Sequence, residues 1–211
     1  MERSKRMLTG AIILSIIFAV VMSGVMIVNA ASGNFNNHEA FETVPLYNQR
    51  DYADVPYGDY GTISSNGCGI VCISMIYTYL TDEYQSPEML AKKYGNYNTV
   101  NGSYWSIFAD SAEDFGLVIE EQTDSWKRVK EALKNGQVVI SLQRGGIFTR
   151  GGHFIVLTGI NEDGRIMVND PNGSNWDKNE TLREGFENGF KESQITNNGH
   201  MYWIYAPKSV N

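Results

Sequence analysis

The chain has 211 residues, of which 42% are hydrophobic and 19% charged, and this composition suits one globular core rather than a disordered or fibrous protein. Residues 1–30 carry three basic side chains and one acidic one, so the rest carries 17 − 3 = 14 basic and 24 − 1 = 23 acidic groups, a net charge of −9. Such an acidic body lacks the basic surface that nucleic acids require, which excludes a nucleic-acid-binding protein.

No cofactor is predicted. Two cysteines and three histidines are too few for a zinc finger or a disulfide scaffold. Three acidic residues, Asp51, Asp54 and Asp59, lie close together in the sequence, but they lack the spacing of a calcium-binding loop. Acidic side chains solvated on a surface loop explain them better.

The first 30 residues have the pattern of an export signal. Basic side chains at Arg3, Lys5 and Arg6 precede the uncharged stretch 7–28, and a signal-peptidase site is predicted after Ala30. The 22 residues of this stretch are also enough to span a bilayer. A cleaved signal peptide and a retained single-pass anchor therefore remain alternatives. Both place residues 31–211 outside the cytoplasm, because the basic end stays inside.

The remaining sequence predicts a linker over residues 31–42, one domain over 43–207 and a tail over 208–211. The domain begins with a short strand at 43–48 and a loop that runs to Gly67. Hydrophobic spacing, with serine and proline at helix starts and glycine after helix ends, then predicts helices over 68–80, 87–93, 103–115 and 125–134. Ser65 or Asn66 would cap the first of them.

Short β-rich runs dominate the last third of the chain. They predict strands over 138–142, 154–159, 165–169 and 201–205, and residues 161–164 form a hairpin turn between the second and the third. Helices followed by antiparallel strands make an α+β domain.

Cys68 is the candidate nucleophile. It begins an apolar helix, where backbone N–H groups and the helix dipole favour the thiolate, the reactive form of cysteine. Gly67 and Gly69 leave space beside it for a substrate backbone. The competing interpretation is a buried core thiol, and for Cys72, one turn further along the same helix face, burial is the prediction.

His153 is the candidate base, because His38 falls in the linker and His200 near the C-terminus. Pairing through the turn at 161–164 would bring Asp170 close to His153, since the two positions are nearly symmetric about that turn. A carboxylate there would orient the imidazole. Taken singly, His153 could merely begin a strand and Asp170 could belong to an ordinary turn.

Four motifs together carry a resemblance to a known family. They are Gly67-Cys68-Gly69 with its apolar helix, the run from Gly152 to Gly159, the run from Val168 to Pro171, and Tyr104-Trp105-Ser106-Ile107-Phe108 before Phe115-Gly116-Leu117. Over about residues 43–207 they closely resemble the bacteriocin-processing-peptidase-like family of papain-like cysteine peptidases.

The resemblance implies a papain-like fold with Cys68 as nucleophile, His153 as general base and Asp170 as the orienting carboxylate. It also implies that Gln49 donates to the oxyanion beside the backbone N–H of Cys68. The chain departs from the family at Ile70, where proline is usual. It also departs in spacing, because Gln49 precedes Cys68 by 19 positions, more than the half-dozen typical of papain-like enzymes.

The implied function is an extracytoplasmic cysteine peptidase that acts on a peptide or protein and contacts the membrane only through an uncleaved N-terminal segment. The family's processing peptidases are cytoplasmic domains of peptide exporters that cut after a double glycine. This chain has one apolar segment and no phosphate-binding loop, so it is more similar to exported stand-alone relatives. Two alternatives remain: a cell-wall amidase or endopeptidase, and a catalytically silent surface module that binds peptides.

Overall fold

The computed structural model describes residues 41–208. The predicted signal or anchor segment, His38, nearly all of the predicted linker and the last residues of the predicted tail lie outside this range. Within residues 41–208, no helix is long and apolar enough to cross a membrane.

A five-stranded antiparallel sheet is the central element of the described chain. A separate hairpin of two short strands precedes it, β1 (Asn98–Thr99) and β2 (Gly102–Ser103). The strands of the main sheet are β3 (Ile119–Thr123), β4 (Val139–Arg144), β5 (Gly152–Ile160), β6 (Ile166–Asn169) and β7 (Gly199–Tyr205). Their order across the sheet is β3-β7-β4-β5-β6.

Residues 41–208 also form helices. They are α1 (Ile63–Asn66), α2 (Cys68–Thr81), α3 (Pro87–Lys93), α4 (Ser106–Asp114), α5 (Trp126–Lys134), α6 (Glu180–Asn188) and α7 (Glu192–Thr196). Single 3₁₀ turns occur at Gln49–Tyr52, Gly95–Tyr97 and Gly173–Asn175. Helices combined with an antiparallel sheet confirm the predicted α+β class.

The sheet is buried on both faces, because alternate side chains along a strand point to opposite sides. One face joins the core that contains α2, through residues such as Ile140, Phe154 and Trp203. The other face joins a second core with side chains of α5 and α6, as Val139 and Ile155 show. Burial on both sides explains why the residues of β4 from Val139 to Gln143 are all buried, the polar Ser141 and Gln143 included.

Helix α2 is the most deeply buried of the described helices, with every residue from Gly69 to Thr78 buried. Its few polar side chains form hydrogen bonds inside the core. The Ser74 hydroxyl donates to the carbonyl of Gln85, and the backbone N–H of Gln85 donates to Thr78 Oγ1 over 2.9 Å. Because the helix is surrounded on all sides, the position of its first residue, Cys68, is fixed by packing.

The predicted helices at 68–80, 87–93 and 125–134 are confirmed, as are the four predicted strands, with ends that shift by one or two residues. The predicted cap of α2 is wrong. Gly67 occupies that position without a side-chain hydrogen bond, because α1 ends at Asn66 and leads directly into α2. The helix predicted from residue 103 begins at Ser106 instead, since Gly102–Ser103 form strand β2.

The predicted strand at 43–48 is absent. The side-chain amide of Asn169 donates to the carbonyls of Val44 and Pro45 over 3.0 and 3.1 Å, in place of a backbone ladder. Pro45 also has no N–H to offer to a neighbouring strand. Within the predicted loop to Gly67, the structure has instead the turn Gln49–Tyr52 and α1.

Candidate active site

Cys68 lies at the first position of α2 and is half-buried. Burial alone would raise the pKa of its thiol. A hydrogen bond to His153, the charge of that imidazole, and hydrogen bonds from the backbone of Phe154 and Gly69 outweigh burial and hold the pKa of Cys68 below its ordinary value. The thiol is therefore predisposed to ionise.

Cys72 behaves differently although it lies one helical turn away. It is fully buried, and burial together with the nearby charges of Cys68 and Asp170 raises the pKa of its thiol well above the ordinary value. The predicted burial of Cys72 is confirmed. The two thiols are not joined in a disulfide.

His153 lies near the start of β5 and is buried. Its Nε2 lies 2.6 Å from Asp170 Oδ1, which leaves Nδ1 for the thiol of Cys68. Burial alone would lower the pKa of the imidazole, but the charge and hydrogen bond of Asp170, with those of Cys68, raise it well above its ordinary value. A lowered thiol pKa beside a raised imidazole pKa favours a thiolate–imidazolium pair.

Asp170 directly follows β6 and is fully buried. In the hairpin of β5 and β6, Asn169 pairs with Val156, so Asp170 comes to the end of the sheet where His153 lies. Besides His153, the carboxylate accepts the backbone N–H of Asn172 over 2.8 Å and the side-chain amide of Asn175 over 2.7 Å. These donors stabilise a buried carboxylate that would otherwise be costly.

Two residues that hold Asp170 were not predicted from the sequence. The amide of Asn175 also donates to the carbonyl of Phe148 over 2.9 Å, and Trp176 Nε1 donates to the carbonyl of Asp170 over 3.0 Å. The one available signal was an amide and an indole shortly after Asp170. Nothing in the spacing indicated that both side chains would turn back toward it.

Gln49 is buried and lies between the turn that precedes Cys68 and the loop that follows Asp170. Its Nε2 donates to the carbonyl of Ser64 over 2.8 Å, and its backbone N–H donates to the carbonyl of Pro171 over 2.7 Å. Its Oε1 is buried without a hydrogen-bond partner among residues 41–208. The long segment between Gln49 and Cys68 therefore folds back, as the predicted role of Gln49 requires.

Arg50 reinforces this arrangement, and no sequence pattern indicated its role. One guanidinium nitrogen donates to the same Ser64 carbonyl over 2.7 Å, and its Nε donates to Asn172 Oδ1 over 2.8 Å. In parallel, the backbone N–H of Gly173 donates to Asn48 Oδ1 over 3.0 Å. The segment 48–50 thus connects the turn before Cys68 to the loop that carries Asp170.

A family model described as the Peptidase_C39 like family matches residues 41–199, most of the chain. The chain belongs to the Peptidase_C39 like family. No curated protein and no solved structure matches the chain. Membership in the Peptidase_C39 like family confirms the resemblance to papain-like peptidases and indicates a hydrolase of peptide bonds, with peptides or proteins as substrates.

The region matched by the Peptidase_C39 like family includes Gln49, Cys68, His153 and Asp170. His200, the remaining described histidine, lies on β7 with its ring 6.2 Å from that of Trp105, centroid to centroid. It makes no hydrogen bond to the three residues of the Cys-His-Asp arrangement within the described chain. The site therefore offers one imidazole for proton transfer.

Proposed function

We propose that this chain is an extracytoplasmic cysteine peptidase that hydrolyses peptide bonds through Cys68, His153 and Asp170. The observation that supports it best is the buried 2.6 Å contact between His153 Nε2 and Asp170 Oδ1, beside a thiol whose pKa is lowered by the same imidazole. Nucleophile, base and orienting group are then connected in the order that covalent catalysis requires.

In the first step, the Cys68 thiolate attacks the carbonyl carbon of the scissile bond, a C–S bond forms, and the carbonyl oxygen becomes an oxyanion. The backbone N–H of Cys68 is one donor to that oxygen. Nε2 of Gln49 gives one hydrogen to the Ser64 carbonyl and keeps its second hydrogen for the oxyanion. The hydrogen bond to Ser64 orients the amide before the substrate arrives.

The tetrahedral intermediate then collapses as the His153 imidazolium gives its proton to the leaving amine, and the C–N bond breaks. The acyl group stays on Cys68 as a thioester. Water then attacks the carbonyl carbon of this thioester while the neutral imidazole takes a proton from the water. The C–S bond breaks, the Cys68 thiolate is restored, and the acid product leaves. Asp170 takes no part in bond making, because its role is to orient the ring and stabilise the imidazolium.

The extracytoplasmic location rests on the sequence, in which three basic residues precede the uncharged stretch 7–28. The test is protease added to intact cells that express the full-length chain with a C-terminal epitope. We expect loss of residues 31–211, whereas a cytoplasmic marker protein should survive. Full protection of the epitope would contradict this location.

The catalytic proposal is tested with the purified full-length chain, a thiol-directed vinyl sulfone probe and a peptide library analysed by mass spectrometry. We expect probe labelling at Cys68 and cleavage that is lost in His153→Ala but retained in the matched His200→Ala variant. Release of stem peptides from purified peptidoglycan, without cleavage of library peptides, would favour the cell-wall alternative. Peptide binding without any turnover would favour the silent module.

A further inference from the structure

A groove of about 610 Å³ lies between the loop that contains Tyr60 and the hairpin of β1 and β2. Tyr60, Val100 and Tyr104 line it and are 53%, 71% and 62% exposed. Within residues 41–208 they are three of the seven exposed large hydrophobic side chains. Exposed apolar side chains that gather in one depression are typical of a binding surface.

The backbone beneath these side chains is held firmly. The amide of Asn66 donates to the carbonyls of Tyr60 and Thr99 over 3.1 and 3.0 Å, which ties the two walls together. Gly58 has a φ of 55°, and a side chain there would collide with the carbonyl of Gly95. The backbone that carries the aromatic side chains is therefore already ordered, so binding a ligand costs little conformational entropy of the backbone.

The groove lies close to the start of α2, where Cys68 is. Asn66, which joins its walls, precedes Cys68 by two positions. At the end of the hairpin, Ser103 Oγ lies 3.3 Å from the point where a side chain on Gly69 would begin, and it forms a 2.8 Å hydrogen bond with Tyr57. The hairpin that lines the groove therefore ends beside Gly69, the residue that follows Cys68.

The charge of the groove is also distinctive. Asp59 contributes the one carboxylate among its lining residues, and no lysine or arginine lines it. None of its lining residues belongs to β5, on which His153 would give its proton to the leaving amine, or to the loop that follows β6. The groove is therefore available to the acyl side of the substrate.

We infer that this groove binds the substrate on the acyl side of the scissile bond and selects peptides in which an aromatic or large aliphatic residue adjoins a lysine or arginine. The apolar side chain packs against Tyr60, Val100 and Tyr104, and the basic one pairs with Asp59. This inference rests on the proposed peptidase function, whose substrate class it specifies.

The test uses the full-length chain and a positional library of peptidyl coumarylamides with four variable residues on the acyl side. We expect Tyr104→Ala to lower kcat/KM about tenfold for substrates with the aromatic residue and to leave kcat/KM unchanged for glycine-alanine substrates. Asp59→Asn should remove the preference for the basic residue. Met89→Ala, which changes an exposed apolar side chain on α3, is the matched control and should change neither.

The outcomes separate this inference from the proposed function. Cleavage by the wild-type chain with a library profile that Tyr60→Ala, Tyr104→Ala and Asp59→Asn all leave unchanged would overturn the inference alone. The same holds if Tyr104→Ala alters only the oligomeric state in sedimentation, which would assign the groove to a second copy of the chain.

If the wild-type chain cleaves no library member, the proposed function fails, and binding then tests the groove by itself. A fluorescein-labelled peptide with adjoining phenylalanine and lysine should bind the Cys68→Ala chain and should lose about tenfold in affinity when Tyr104→Ala is added. Equal binding by a glycine-serine peptide of the same length would overturn the inference.

Discussion

The backbone N–H of Gln49 donates to the carbonyl oxygen of Pro171 over 2.7 Å. This contact places the candidate oxyanion donor next to the loop that begins with Asp170. Because Gln49 and Arg50 both donate to the Ser64 carbonyl as well, the same segment reaches the turn before Cys68. Elements far apart in the sequence therefore share one hydrogen-bond network, and this network can be perturbed without touching the three candidate catalytic residues.

Arg50→Ala should lower kcat while leaving the reactivity of Cys68 nearly unchanged. The guanidinium helps to orient Gln49 through the Ser64 carbonyl, whereas the thiolate depends on His153. Because Arg50 is exposed and acts only through the Ser64 carbonyl, we expect kcat to fall by roughly tenfold or less. The measurements are steady-state kcat and the rate of alkylation of Cys68 by iodoacetamide.

Guanidinium ion added to Arg50→Ala should restore part of the lost kcat, because it can occupy the vacated position between Ser64 and Asn172. Arg183→Ala, an exposed arginine on α6, should behave like the wild type and show no such rescue. Equal losses in kcat and in alkylation rate, without rescue, would indicate that Arg50 serves the stability of the fold rather than the site.

Iodoacetamide at mildly acidic to neutral pH should modify Cys68 much faster than Cys72. Interaction with His153 lowers the pKa of the Cys68 thiol despite its burial, whereas burial raises the pKa of Cys72. Mass spectrometry of the labelled chain measures both sites. Cys68→Ala should lose labelling and hydrolysis together, while Cys72→Ala should retain both, and equal labelling of the two cysteines would contradict the thiolate assignment.

The pH profile of kcat/KM should have a broad plateau around neutrality. An isolated thiol ionises at about pH 8.5, and an isolated imidazolium loses its proton at about pH 6.5. Without mutual interaction, a thiolate and an imidazolium would therefore seldom be present together at any one pH. Here the lowered pKa of Cys68 moves the acidic limb down, and the raised pKa of His153 moves the alkaline limb up.

Asp170→Asn should narrow that plateau from its alkaline side, because the charge of Asp170 is the main influence that raises the pKa of His153 against burial. Activity should fall substantially but not vanish, since Asp170 orients the ring and forms no bond to substrate. Asp163→Asn, in the exposed turn between β5 and β6, is the matched control. If the alkaline limb of Asp170→Asn is unchanged, Asp170 does not influence the pKa of His153 and has only a structural role in the turn.

Asn175→Ala should destabilise the protein and slow catalysis together. Its amide is buried and donates to both Asp170 Oδ2 and the carbonyl of Phe148. The substitution therefore removes one hydrogen bond from each of these two buried acceptors. Such losses cost about 1–3 kcal/mol in the free energy of unfolding. Chemical denaturation measures this cost, and Asn179→Ala, which removes the cap of α6 instead, should destabilise without changing kcat.

Local pattern determined two parts of the site. The apolar spacing after Gly67 indicated a buried helix with Cys68 at its start, because helix periodicity is visible within a few turns. The turn at 161–164 indicated the β5–β6 hairpin, and a hairpin brings its two ends together whatever the rest of the chain does. His153 and Asp170 could therefore be paired from the sequence, and the structure places them 2.6 Å apart.

Tertiary structure alone decided how the remaining parts meet. Residues 43–48 read as a strand, yet the side chain of Asn169 donates to the carbonyls of Val44 and Pro45, because the available hydrogen-bond partners depend on what packs beside the segment. Gln49, Arg50 and Asn175 reach their partners across loops, where no periodicity constrains the path. Such contacts depend on long-range packing of the chain, and for that reason the sequence predicted the helix and the hairpin but not the network that joins them.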